Sequence, residues 1–169
     1  MAEHIALLRG INVGGRKALP MAELRALLEE LGCEDVRTFI RSGNAVFRSE
    51  RIDTGPLADE LRNRIAARHG FEPHVLVIGR KDLEAAVRNN PFPTGDGRTL
   101  HLYFLDSTPE APDLEKLRRL QTATEAFELS GPVFYLHAPD GIGRSTRAAE
   151  AERCLGVPTT ARNWNTVRK

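Results

Sequence analysis

The chain has almost no net charge, few aromatics, only two cysteines and no long apolar run. Its 24 basic and 23 acidic side chains leave a formal charge of +1 over 169 residues. That balance excludes the broad basic footprint of a polyanion-binding module. Aromatics make up 6 %, with a single Trp, so a wide stacking platform is excluded too. Cys33 and Cys154 lie far apart and fit neither a CxxC pair nor a disulfide framework. They read as free thiols of a reducing cytoplasm, placed in a core or at a helix end. Apolar runs such as 75–78 are strand-sized, far from the ~20 residues of a membrane helix. The start Met1-Ala2-Glu3-His4 lacks the basic-then-apolar order of a secretory signal. A cytoplasmic protein with no membrane partner is the expectation.

A hydrophobic content of 41 % beside 28 % charged residues predicts a folded, globular chain. The length suits one ordinary domain or two very small ones. Charge is spread evenly along the chain with no charged tail. Only four of the basic residues are Lys, so Arg dominates. The plain reading of that excess is codon bias. A few of these Arg residues are candidates for holding a planar anion through their fork of donors.

The periodicity gives an order of elements. A strand at 5–9 runs into the Gly-rich loop Gly10-Ile11-Asn12-Val13-Gly14-Gly15. Pro20 opens a helix whose Leu24, Leu27, Leu28 and Leu31 recur at i, i+3, i+4 and i+7, and Gly32 closes it. Strands at 36–41 and 45–48 flank the turn Ser42-Gly43-Asn44. A second helix carries Leu57, Leu61 and Ile65, and a strand follows at 75–78. This is a βαββαβ order. Leu83 and Val87 share a face of a connecting helix, and 94–98 is a polar loop. The order then recurs: a strand at 100–105, a helix striped by Leu114, Leu117 and Leu120, strands at 126–129 and 133–137, a helix capped by Ser145 and ending at Gly156, and a strand at 159–162. The two hairpins, Ser42-Gly43 and Ser130-Gly131, lie roughly 90 residues apart and share a trace of sequence. The expected fold class is therefore α+β: two tandem ferredoxin-like subdomains, 1–79 and 99–169, joined by a helix and loop at 80–98, packed as one compact unit because each half alone is small.

In that topology the loop after the first strand and the first hairpin project from one end of their sheet. This groups Arg9, Asn12, Gly14 and Gly15 with Arg41, Ser42 and Asn44. In the second half, the loop before the last helix and the end of the last strand share an end, grouping Arg144 and Ser145 with Arg162, Asn163, Trp164, Asn165 and Thr166. Each motif has a plain structural reading. The glycines permit a tight crossover, and they match neither a dinucleotide fingerprint nor a Walker lysine loop. Ser42-Gly43-Asn44 is first a hairpin turn. Trp164 between two Asn residues fits core capping and ligand contact equally well.

Catalytic templates are missing. The five His residues show no i, i+3 or i, i+4 pairing, so no metal helix and no metal is expected. There is no G-x-S-x-G elbow. Asp140 reads as a turn residue. The third-strand aromatic pattern of RNA-recognition sheets is absent from 41–47.

Leu7-Leu8-Arg9-Gly10-Ile11-Asn12-Val13-Gly14-Gly15, Pro20-Met21-Ala22-Glu23-Leu24-Arg25, Ser42-Gly43-Asn44-Ala45-Val46-Phe47, Asn90-Pro91-Phe92, the loop at 141–145 and Arg162-Asn163-Trp164-Asn165-Thr166-Val167 together resemble a bacterial family known as domain of unknown function sixteen ninety-seven. The resemblance spans nearly the whole chain. It implies two ferredoxin-like subdomains and carries no activity, so no catalytic residue or cofactor is transferred with it. The chain departs from the family at Arg41, where members usually have Gln, and in the short stretch after Thr166. The leading expectation is a protein that binds a small polar or anionic molecule at these loop rims. An enzyme using Ser145, Asp140 or an Arg clamp is the alternative, and a nucleic-acid module comes third. Sequence leaves cofactor and oligomeric state open.

Overall fold

The computed structural model describes every residue except 13–14, 41, 121–123, 143–144 and 169. The chain divides into two units, Met1–Ala85 and Ala86–Lys169. Each is a mixture of helices and one four-stranded antiparallel sheet.

The first unit runs β1 (Ala2–Arg9), α1 (Met21–Glu30), β2 (Glu34–Phe39), β3 (Asn44–Ser49), α2 (Thr54–His69), β4 (His74–Gly79) and the start of α3 (Arg80–Arg88). Its strand order is β2-β3-β1-β4. Pro20 sits just before α1 in extended geometry, and Leu24, Leu27 and Leu28 point into the core. Asp53 caps α2 by accepting from the Gly55 N–H, and Gly70 ends that helix in left-handed geometry at φ +76°. Leu57, Leu61 and Ile65 of α2 meet Ala6, Leu8, Ala45, Phe47, Val75 and Val77 from the sheet. Each of the larger side chains contributes about 1.5–3 kcal/mol on burial.

The second unit continues through β5 (Leu100–Leu105), α4 (Leu114–Arg119), β6 (Ala126–Ser130), β7 (Val133–His137), α5 (Thr146–Leu155), β8 (Thr159–Asn163) and the short α6 (Trp164–Val167). Its order, β6-β7-β5-β8, matches the first unit strand for strand. Tyr103, Leu105, Phe134 and Leu136 pack beneath Leu117, Ala151, Cys154 and Leu155.

One element differs from the sequence reading. The second strand begins at Glu34 and stops at Phe39 rather than spanning 36–41. A register irregularity between Glu34 and Arg37, with Asp35 at φ +51°, lets it start early. Ile40 at φ +62° ends it, because a β-branched residue in that conformation has left the strand. The connecting helix α3 buries Ala86 and half-buries Leu83 and Val87. The Tyr135 hydroxyl donates to the Ala86 carbonyl at 2.6 Å.

Candidate functional site

At one end of the first sheet, the loop after β1 closes against the β2–β3 hairpin. The Leu8 N–H donates to the Gly43 carbonyl at 2.9 Å. Gly43 has φ +97°, and a Cβ there would stand 2.8 Å from both Leu8 Cβ and Ile11 Cδ1. Only glycine fits that approach. Asn12 is held at φ +52°. Its side chain donates to the Leu19 carbonyl at 2.9 Å and accepts from the Leu19 N–H at 2.8 Å, and its own N–H donates to the Lys17 carbonyl. The Asn44 amide donates to the Phe39 carbonyl at 2.9 Å and to Ser42 Oγ at 3.2 Å. The candidate amides here are thus engaged in shaping loops. Arg9, Ser42 and Gly15 are exposed on that rim, whereas Gly14 and Arg41 lie outside the described residues.

The second unit gathers its polar groups at the opposite end of its sheet, where its first strand starts. β7 and β8 both finish there, since His137 pairs with Leu100 and Asn163 with His101 at the start of β5. Asn163 Oδ1 accepts from the Thr166 N–H at 2.9 Å and caps α6. Trp164, the first residue of α6, is half-buried, and Asn165 is exposed. Asn165 Oδ1 occupies the place a Cβ on Gly97 would take. Arg162 donates from Nη1 to the Ala161 carbonyl at 2.9 Å, and burial pulls its pKa down to about 10. Ala161 packs on the helix-covered face of the sheet. Strand alternation therefore sends Arg162 to the opposite face. Arg144 lies outside the described residues.

Ser145 lies on the helix side and has two tasks. Its Oγ accepts from the Ala148 N–H at 3.0 Å, capping α5, and donates to Glu125 Oε1 at 3.0 Å. Both residues are buried. The pair has the spacing of a nucleophile and base, but a capped, buried hydroxyl has no open face for a substrate. Asp140 Oδ2 accepts from Thr124 Oγ1 at 2.6 Å.

The sequence reading missed Arg147. It is 1 % exposed and heads the group of fully buried large side chains. Its Nε–H donates to the Leu117 carbonyl at 2.9 Å, and its guanidinium carbon stands 4.6 Å from the centre of the Phe127 ring. Nη1 and Nη2 have no hydrogen-bond partner among the described residues. Burial pulls the guanidinium pKa below its ordinary value, while the charge of Glu125 pulls it back up. The side chain lines a cavity of about 450 Å³, together with Leu114 and Arg118 of α4 and Phe127, Glu128 and Leu129 of the edge strand β6. The signal was present in the α5 sequence. Arg147, Ala151, Cys154 and Leu155 form one buried stripe at i, i+4, i+7 and i+8, and its first member is a cation.

The first unit offers a contrast. A cavity of about 380 Å³ there is lined by Glu3, Asp35, Val36, Arg37, Phe47 and Arg48. Both of its cations are paired, Arg37 with Glu3 and Arg48 with Asp35, each at 3.3 Å. Neither cysteine makes a reactive centre. Burial pushes the Cys33 thiol up to about 11 against the pull of Arg51, and it raises Cys154 as well. Among the described residues no cluster of His, Cys, Asp and Glu is arranged to hold a metal, and no helix is long and apolar enough to cross a membrane.

The fold is thus a mixed α+β protein with two antiparallel four-stranded sheets of the same strand order. The chain belongs to the family described as Protein of unknown function (DUF1697), whose model matches residues 1–135. It is similar to the solved structure of the conserved bacterial protein SP0830 from Streptococcus pneumoniae, with 25 % sequence identity over 99 % of this chain and 95 % of that one and a TM-score of 0.67. No curated protein matches the chain.

Proposed function

We propose that the protein binds a small anionic molecule through the second unit. One observation carries this reading: a guanidinium 1 % exposed, with both terminal nitrogens unpartnered among the described residues, lines a cavity of about 450 Å³. Leaving the donors of a buried charge unmade is costly, and a bound anion offsets that cost. Arg118, exposed on the same cavity, adds a second positive charge. The rim residues predicted from sequence enter as a frame. Ser145 fixes the start of α5 and so the place of Arg147. Asn163 caps the short terminal helix. Asn12, Ser42 and Asn44 shape the loop after β1 and the β2–β3 hairpin of the first unit. The strand orders β2-β3-β1-β4 and β6-β7-β5-β8, with helices after the first and third strands of each unit, support assigning each unit to the ferredoxin-like class.

The test is thermal unfolding in sodium acetate, sodium phosphate and sodium chloride at matched ionic strength. Acetate or phosphate should raise the Tm of the wild type above its value in chloride. Arg147→Met should abolish that difference, and Arg147→Lys should reduce it. Equal Tm values for the wild type in all three salts would overturn the reading.

A further inference from the structure

The cavity around Arg147 also specifies a class of ligand, an inference that rests on the anion-binding reading above. We infer that the ligand is a monocarboxylate with a short apolar body, its carboxylate on Arg147 and its body against Leu114, Phe127 and Leu129.

The first argument is the geometry of the donors. A guanidinium has five N–H groups in a planar fork. Nε–H of Arg147 is committed to the Leu117 carbonyl, and the Phe127 ring lies by the guanidinium. Those contacts fix the plane and leave Nη1 and Nη2 as a buried edge with no hydrogen-bond partner among the described residues. Two parallel N–H groups match the two oxygens of a carboxylate. Lysine could not reproduce this.

The second argument is charge. Glu125 is buried close enough to act on the Arg147 guanidinium, and Glu128 is itself part of the cavity wall. Against Arg147 and Arg118, these two carboxylates leave little positive charge to spare. With two cations against two carboxylates, only the unpartnered donors of Arg147 offset the charge a ligand brings. They can serve one carboxylate, whereas the second charge of a dianion such as phosphate adds desolvation cost with no further buried donor to offset it.

The third argument is the wall. Leu114 and Leu129 are half-buried aliphatic side chains beside the half-buried Phe127 ring. An apolar body covering them removes apolar surface from water at about 25 cal/mol per Å². The volume suits a molecule at the small end of ordinary ligand sites. Leu114 and Arg118 of α4 line the same cavity as Arg147. That helix is only six residues long, and its Arg118 is exposed.

The experiment is a titration of the wild-type chain followed by proton–nitrogen NMR, reading the Arg147 Nε–H and the Phe127 and Ala148 amides. The probes are sodium hexanoate, sodium acetate, hexanamide and inorganic phosphate. Hexanoate should give saturable shifts at all three groups. Hexanamide, isosteric but uncharged, should bind at least tenfold more weakly, and phosphate should fail to saturate over the same range. Leu114→Ala should weaken hexanoate several-fold and leave acetate unchanged. Arg147→Lys, which keeps the charge and loses the fork, should weaken hexanoate by tenfold or more. If phosphate saturates these groups and hexanoate does not, the carboxylate assignment fails while the anion site stands. If hexanamide binds as well as hexanoate, the site is apolar and both readings fail. If no probe shifts these groups, both fail as well.

Discussion

The two units share a strand order but differ in how they treat charge. In the first unit, cations stay at the surface in pairs: Arg80 with Glu3 and Glu84, Arg51 with Glu60, and Arg64 and Arg68 with Glu30. Its helix α2 turns a wholly apolar stripe inward, Leu57, Leu61 and Ile65 at i, i+4 and i+8. In the second unit, α5 turns inward the same spacing, Arg147, Ala151 and Leu155. The same architecture therefore tolerates an apolar start to this stripe in one unit and a cation in the other. What differs is the surroundings. Arg147 has the Leu117 carbonyl, the Phe127 ring and the field of Glu125. Leu57 lies among aliphatic and aromatic carbon. Topology sets where a helix lies, and the local partners decide what its inner face can carry.

Exchanging the two positions should give the largest effect. Leu57→Arg would bury a cation in a core that supplies no carboxylate, and it should cost at least about 4 kcal/mol. Urea unfolding should show the first unit largely unfolded in water. A midpoint within 0.5 M of wild type, with an unchanged slope, would mean that the two units differ less than their stripes imply.

Next in size is removal of the Arg147 charge. Arg147→Met leaves Glu125 buried with less compensation and should cost about 2–4 kcal/mol. Adding Glu125→Gln removes the second charge and keeps an acceptor for the Ser145 hydroxyl, so the double variant should recover most of the loss. Chemical denaturation of the four proteins gives the coupling directly. Additive losses would show that the two charges do not sense each other.

The hairpins sharpen the comparison at smaller scale. Gly43 and Gly131 both have positive φ, +97° and +55°. A Cβ on Gly43 would meet Leu8 and Ile11 at 2.8 Å, whereas a Cβ on Gly131 would meet nothing within 4 Å. Gly131→Ala pays only for backbone conformation, about 1 kcal/mol. Gly43→Ala adds the clash and should cost about 2–4 kcal/mol. Equal losses would show that the loop after β1 gives way without cost.

These contrasts show why the frame was legible in the sequence and the candidate site was not. Leu24, Leu27 and Leu28 have helical spacing that one sequence reveals, and Ser145 stands directly before a helix that ends at Gly156. β5 begins and ends where its apolar run does. The rim residues were easy to see because Asn, Ser and Gly mark loops, and most of those with resolved bonds turn out to serve loop or cap geometry. Arg147 was hidden by its own chemistry. An arginine between Thr146 and Ala148 reads as a solvated residue. Its inward direction depends on α4 and β6 closing over it, a contact between residues as distant as Leu117 and Arg147. Glu125 was hidden in the same way, since its burial follows from Ser145 twenty residues later. Periodicity reports which face is apolar; it does not report which charge has been drawn into that face.

The smallest effect concerns pH, and it belongs to the second unit. His101 on β5 has a buried Nδ1 without a partner among the described residues, and burial pulls its pKa below the ordinary 6.5. The unfolded chain therefore binds the proton more readily than the folded one. Stability is retained above pH 6.5 and declines as the pH falls from there toward the folded-state pKa, with a slope from this group of at most about 1.4 kcal/mol per pH unit. His4, on the first strand of the other sheet, has its Nδ1 3.2 Å from the Ala2 carbonyl and its ring stacked at 5.8 Å on Phe47. His101→Gln should flatten the loss of stability between pH 6.5 and 5, measured by urea unfolding at fixed ionic strength. His4→Gln should lower stability at pH 7 through the lost ring contact. A slope that survives unchanged in His101→Gln would show that the acid-sensitive group is not His101.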